Sequence, residues 1–210
     1  MAVSDIRHTI ATAVAQEQTS SSLRRRLNAK LPELQDRLDL PQDEPLEALM
    51  TFIIRYIESV PGSISLVTAV SKQMGFYDYA ALFLHIAEDY FIDPPQELPE
   101  DGGLALLLDE AFLAHRLLEE VNDHHIRHLQ RPLLPVDMTE ANIIVHHLLG
   151  EGLANRLEQL VQYTASRLLE KEHVWERVRD LPGSATFTEP PIRSASLSDG
   201  EHAVRLRLGA

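Results

Sequence analysis

The sequence predicts an all-α fold: a single helical bundle of six or seven helices with a long C-terminal helix and a flexible tail. Three observations lead there. Apolar residues recur at three- and four-residue steps through nearly every segment from Ser4 to Asp180, the period of a helix with one buried stripe. The segments are separated by helix stops and starts: Pro45, Pro61–Gly62, Gly75, Pro132, Pro135 and Pro182–Gly183. Alternation at period two occurs only near the C-terminus, where Val204, Leu206 and Leu208 interleave with Arg205 and Arg207.

Taken in order, a first amphipathic helix is expected from Ser4 to about Glu17. Ser20, Ser21 and Ser22 offer caps for a second, which Pro32 interrupts or restarts. Pro45, tolerated in a first turn, opens LEALMTFIIRYIESV, and Pro61–Gly62 should stop it. Ser63 can cap ISLVTAVSKQM, which Gly75 ends, and FYDYAALFLHIAEDYFI follows. The break DPPQELPEDGG holds three prolines and two glycines, so no helix crosses it. A long helix then runs from about Leu104 to Gln130, ended by Arg131–Pro132. Asp137 or Thr139 caps the last helix, although Asn142 leaves a capping box incomplete. If that helix continues to Asp180, its length of about 60 Å exceeds the width of the domain. Its far half should then protrude, bend or pack on another subunit. Residues 1–182 are expected to form the bundle, and 183–210, rich in small and polar residues, the flexible tail. A strand at Val204–Leu208 would find no partner in such a bundle.

Composition narrows function mainly by exclusion. There is no cysteine, which removes thiolate zinc sites, iron–sulfur clusters and thiol nucleophiles. The N-terminal stretch carries Asp5 and Glu17 without a continuous apolar core, unlike a signal peptide. No stretch is expected to approach the roughly 18 apolar residues of a membrane span. Net charge is −13, and residues 73–115 contain no Lys or Arg but nine carboxylates, which repel phosphate backbones and attract cations or basic partners. The cluster Arg24–Arg25–Arg26 with Lys30 is too small to suggest a nucleic-acid site. The expectation is a cytoplasmic protein that binds neither nucleic acid nor membrane. Phosphate loops, dinucleotide fingerprints, Gly-x-Ser-x-Gly and HExxH are absent, so no catalytic residue is indicated.

Histidine placement is the remaining signal. Seven of ten histidines fall between His85 and His147, and three precede a carboxylate by four residues: His85 and Asp89, His115 and Glu119, His147 and Glu151. On one helix that spacing stacks imidazole and carboxylate on a single face. Pairs converging inside a bundle would suit iron, manganese or zinc. The candidate ligands are His115, Glu119, His147 and Glu151, with His85, His146 and Asn122 as outer candidates. His115 and Asn122 lie in the apolar stripe of Leu104, Leu108, Ala111, Leu118, Ile126 and Leu129, so they are expected either to be satisfied by local hydrogen bonds or to serve a site. His146 and His147 flank the inner face of the last helix. His85, Glu88 and Asp89 form one polar stripe, which normally faces water. His124 and His128 are four apart, a metal spacing, but they also lie where imidazolium complements a helix C-terminus. Carboxylate-bridged di-metal bundles need two Glu-x-x-His motifs, and only Glu170 with His173 fits.

Every pair therefore has an adequate structural explanation. The favoured expectation is a non-enzymatic interaction or regulatory module, with a protein partner or homodimer. Leu153, Leu157, Leu160, Thr164 and Leu168 make a seam that closes the bundle or engages that partner. The alternatives are a transition-metal bundle, as an oxidase or metal handler, and a histidine-based pH sensor.

Overall fold

The computed structural model describes residues 3–75, 77–91, 102–130, 132, 136–169, 193–194 and 203–207. Among these residues it is all-α, with seven helices: α1 (Val3–Ser20), α2 (Ser22–Arg37), α3 (Pro45–Met74), α4 (Tyr77–Asp89), α5 (Leu104–Leu129), α6 (Thr139–Leu149) and α7 (Glu151–Leu169). Four two-residue strands, β1 (Leu38–Asp39), β2 (Val136–Asp137), β3 (Arg193–Ser194) and β4 (Arg205–Leu206), complete it.

The centre of the bundle is α5, which packs against α1, α3, α4, α6 and α7. Nine consecutive residues, Leu107 to His115, are buried, as expected of a helix with neighbours on every side. That burial takes in two acids, Asp109 and Glu110, each 3% exposed. Ile126, which the stripe placed inside, is instead 39% exposed near the helix end. On α7, the helix that packs most extensively on α5, the buried face is Ala154, Leu157, Val161 and Ala165; of the expected seam only Leu157 belongs to it, while Leu153, Leu160, Thr164 and Leu168 are half-buried.

Two expected interruptions do not occur. α3 runs through Pro61 and α2 through Pro32. An interior proline costs about 3 kcal/mol. Ile57, Val60, Ile64 and Val67 lie on either side of Pro61 and are at most 1% exposed. At about 1.5–3 kcal/mol for each buried aliphatic side chain, their stripe outweighs the proline, and Ser63 lies mid-helix instead of capping. The resulting helix also amends the expectation about apolar stretches. Pro45–Gln73 is long and apolar enough to cross a membrane by length and composition, with a mean hydropathy of 1.2. Here its apolar residues form the core.

One interruption was not expected. The helix from Thr139 stops at Gly150, whose φ of +88° suits glycine alone, and α7 restarts at Glu151. The unbroken helix from Thr139 is thus replaced by two, and its proposed extension to Asp180 lies outside the described residues. Caps also differ from expectation at α2. Ser21 makes no side-chain cap. Glu17 reaches across from α1 and accepts the Leu23 and Arg24 amides at 3.1 and 3.0 Å, where a carboxylate also complements the helix dipole. Asp137 caps α6 as foreseen, accepting the Thr139 amide at 2.9 Å.

The C-terminal strand does find a partner in its own chain. β4 pairs antiparallel with β1, matching Leu206 to Leu38 and Arg205 to Asp39. The Arg207 amide donates to the Arg37 carbonyl at 3.0 Å, and Val204 is 1% exposed. β3 pairs parallel with β2. The other residues of 183–210 lie outside the described set.

Candidate functional site

A cavity of about 200 Å³ opens between α3, α5 and the β2–α6 segment. Leu66, Leu118, Ile126 and Met138 line its apolar wall; His115, Glu119, Asn122 and Asp123 face it from α5.

His115, 2% exposed, is held by α3. Its Nε2 is 2.9 Å from Ser59 Oγ and 3.2 Å from the Tyr56 carbonyl oxygen. A carbonyl only accepts, so Nε2 carries the proton. Ser59 itself donates to the same carbonyl at 2.7 Å. The serine–histidine contact thus resembles a nucleophile and its base but cannot work as one, because the nitrogen facing the hydroxyl is already protonated. The imidazole also packs on the Tyr56 ring, with centroids 4.6 Å apart. Burial lowers the His115 pKa to about 4, partly opposed by the bond to the Tyr56 backbone, so the ring is neutral at neutral pH.

Beside it, hydrogen bonds join three helices. Tyr56 Oη donates to Asn142 Oδ1 at 2.7 Å, and Asn142 Nδ2 donates to Glu119 Oε2 at 2.6 Å. Thr139 Oγ1 donates to Glu119 Oε1 at 2.9 Å, and the Arg116 guanidinium donates to Oε2. Burial, reinforced by the Glu119 charge, raises the Tyr56 phenol well above its usual range, which keeps it a donor. Arg116 Nε also lies 3.8 Å from Glu158 on α7. His146 sits between two α7 carboxylates, with Nδ1 3.2 Å from Glu158 and Nε2 3.5 Å from Glu151. A polar chain therefore runs from the core tyrosine, along the cavity wall, to the α6–α7 junction. At the cavity, the Asp123 carboxyl is pushed up by partial burial and by Glu119 and Glu120, against the opposing pull of Arg116 and Arg127.

The four proposed metal ligands are not gathered. Both oxygens of Glu119 are taken by hydrogen-bond donors. His147 faces α2, where burial, Arg37 and His146 lower its pKa. Lys30 Nζ approaches Gly150 on the same side. These cations complement the C-terminal dipole of α6 and oppose a metal beside His147. Glu151 is exposed and pairs with His146. The break at Gly150 removes the helical spacing on which the His147–Glu151 pairing rested. Among the described residues, no group of three or more His or carboxylate side chains could hold a metal ion.

Of the outer candidates, His85 is 68% exposed and 3.7 Å from Glu88, facing water with its stripe. Asn122 lines the cavity. His124 lies 3.6 Å from Glu120 and stacks on His128 with centroids 6.2 Å apart, while His125 is 1% exposed. Sequence reasoning missed Tyr56, Ser59, Arg116 and Glu158. Arg116 and Glu158 offered no motif, and Tyr56 lies within the apolar run of its helix, where nothing marks it from other core residues. No protein family, curated protein or solved structure matches the chain.

Proposed function

We propose that the protein is a non-enzymatic regulatory module, and that the cavity beside His115 is its ligand site. One observation carries this reading: a pocket of about 200 Å³ whose polar wall is wired by hydrogen bonds and ion pairs to α3, α6 and α7. Occupancy changes the surroundings of Glu119, and Glu119 shares Arg116 with Glu158. The ligand is thereby felt at the α6–α7 junction, where Gly150 supplies a hinge and the exposed faces of both helices are offered to a protein partner. The one serine–histidine contact named above supports no reaction, since the protonated Nε2 of His115 faces Ser59. The metal reading through His115, Glu119, His147 and Glu151 lacks comparable support, because His115, Glu119 and Glu151 are bound to separate partners and His147 faces the Arg37 charge.

The test is a fragment screen followed by amide chemical shifts on the full chain. Hits should cluster on Ser63, Leu66, Leu118, Asn122 and Thr139. Ser63→Phe, which fills the cavity from α3, should abolish them with the helical circular dichroism intact. Absent hits, or hits indifferent to that substitution, overturn the assignment.

A further inference from the structure

We propose that the slot between β1 and α6, filled here by residues 203–207 of the same chain, is a strand-addition site for another protein. Its partner is an extended segment with the pattern apolar, basic, apolar, acidic, which enters in place of β4. The first support is how the slot holds β4 by its backbone. Leu206 stands opposite Leu38 and Arg205 opposite Asp39, and the Arg207 amide donates to the Arg37 carbonyl at 3.0 Å. In an antiparallel ladder bonded pairs alternate with unbonded ones, so the Leu206 amide turns away from β1. Glu140 on α6 meets it there, with Oε1 accepting at 3.4 Å. Both edges of the strand therefore find acceptors in the slot. Every sequence carries these backbone donors, so this part of the site accepts any extended chain.

Side chains supply the selection. Val204 and Leu38 are buried, and Leu40 and Leu206 are half-buried against the core, so two alternate positions of the entering strand are apolar. Between them Arg205 is exposed opposite Asp39, a favourable cross-strand pair. The next position is mismatched. The bond from Arg207 to Arg37 continues the register and sets two exposed arginines across from each other, a destabilising pair. A strand with an acid there fits the slot better than β4 does. The third support is that β4 can leave without unfolding the bundle. Of residues 203–207 only Val204 joins the buried core, nearly all of which lies on the seven helices, and the ladder is two residues long. Release leaves β1 as an unpaired edge on which a foreign strand can form its ladder. β4 thus acts as a built-in competitor, scaling the apparent affinity of any entrant by the fraction of slots left open.

The probe is a nine-residue peptide with the sequence of residues 202–210, titrated into the full chain with amide shifts as readout. Val204→Asp in the full chain weakens the docking of β4 and leaves every slot residue in place. The peptide should shift Leu38, Asp39 and Glu140 saturably in this variant, and bind it about tenfold more tightly than it binds the wild type. With Arg207→Glu the peptide should bind about fivefold more tightly than with its own sequence, and with Arg205→Glu about fivefold more weakly. In the wild type, an excess of the tighter peptide should move the Arg205 and Leu206 amides to the shifts of an unpaired strand. That displacement needs no variant, so unmoved amides overturn the proposal even where Val204→Asp loses its helical circular dichroism. No binding to a folded Val204→Asp chain, or equal affinity for it and the wild type, overturns the site. An unchanged or reversed order of the three peptides overturns the partner's pattern. A concentration-dependent dimer of the wild type that excess peptide dissolves would put a second copy of this chain in the slot and overturn the foreign partner.

Discussion

Glu110→Gln should change how stability depends on pH. Glu110 lies on the central helix, 3% exposed, with Oε2 buried and no hydrogen-bond partner among the described residues. Burial, followed by the charge of Asp109, raises its pKa from 4.5 to about 8. The folded state therefore holds a proton that the unfolded chain releases. Its contribution to stability is complete below pH 4.5 and is lost as pH rises through 8. At 1.36 kcal/mol per pKa unit, the loss is at most about 5 kcal/mol. His115 works in the opposite sense. Its pKa falls from 6.5 to about 4, so its contribution is present above 6.5 and is lost as pH falls through 4, at most about 3 kcal/mol. From these two groups alone, the slopes cancel between 4.5 and 6.5 and leave a decline of about 2 kcal/mol from 6.5 to 8. In Glu110→Gln only the His115 slope remains, so stability should rise to about pH 6.5 and then stay level. The buried amide is neutral like the acid it replaces, so the variant should match the wild type near pH 4.5 and exceed it by several kcal/mol above about pH 8. Urea unfolding followed by far-UV circular dichroism measures both curves. A difference between them that is constant across this range would refute the linkage argument.

Three further outcomes follow from the packing. Tyr56→Phe strips the donor from Asn142 Oδ1 inside the core, and should cost about 1–3 kcal/mol in urea unfolding; a neutral result would break the chain at its first link. Gly150→Ala places a Cβ on a backbone with φ +88° and ψ 147°, and should lower stability by about 1–3 kcal/mol, read as a drop in midpoint temperature. Val204→Ala removes two methyl-sized groups from a site 1% exposed, and should cost about 2 kcal/mol if residues 203–207 belong to the folded unit. An unchanged unfolding midpoint would separate that strand from the bundle.

The helices were legible because each carries an apolar stripe at helical period, and the stripe survives whatever surrounds it. Punctuation was less reliable. Pro32 and Pro61 are strong local signals, yet the buried residues around Pro61 outweigh it, and that balance depends on neighbours a local reading does not see. Gly150 showed the opposite error: it was not counted among the helix stops, yet its positive φ ends a helix. The site was half legible. His115 announced itself as a polar residue in an apolar stripe. Its partners Ser59 and Tyr56 stand 56 and 59 residues earlier, and the donors that occupy Glu119 come from 20 and 23 residues later as well as from Arg116. Spacing along one helix cannot show such partners. The His147–Glu151 pair rested on the spacing of an unbroken helix, and that helix stops at Gly150, although the Glu151 charge still acts on His147.

The polar groups buried on α5 fall into two sets that should act independently. Glu110 and His115 are five residues apart, which places them about 140° around the helix and about 7.5 Å along it. His115 and Glu119 belong to the cavity side and bond with α3 and α6. Glu110 and Asp109 share a buried like-charge contact away from the cavity lining. Sites with separate partners add in their effects to within about 0.5 kcal/mol. The double variant Glu110→Gln with Tyr56→Phe should therefore show the sum of the single changes at every pH, with the flattened profile of one and the constant loss of the other. A coupling clearly larger than that margin would mean that α5 transmits strain between its two faces. The regulatory route to α7 would then run through the helix itself and not through Glu119, Arg116 and Glu158.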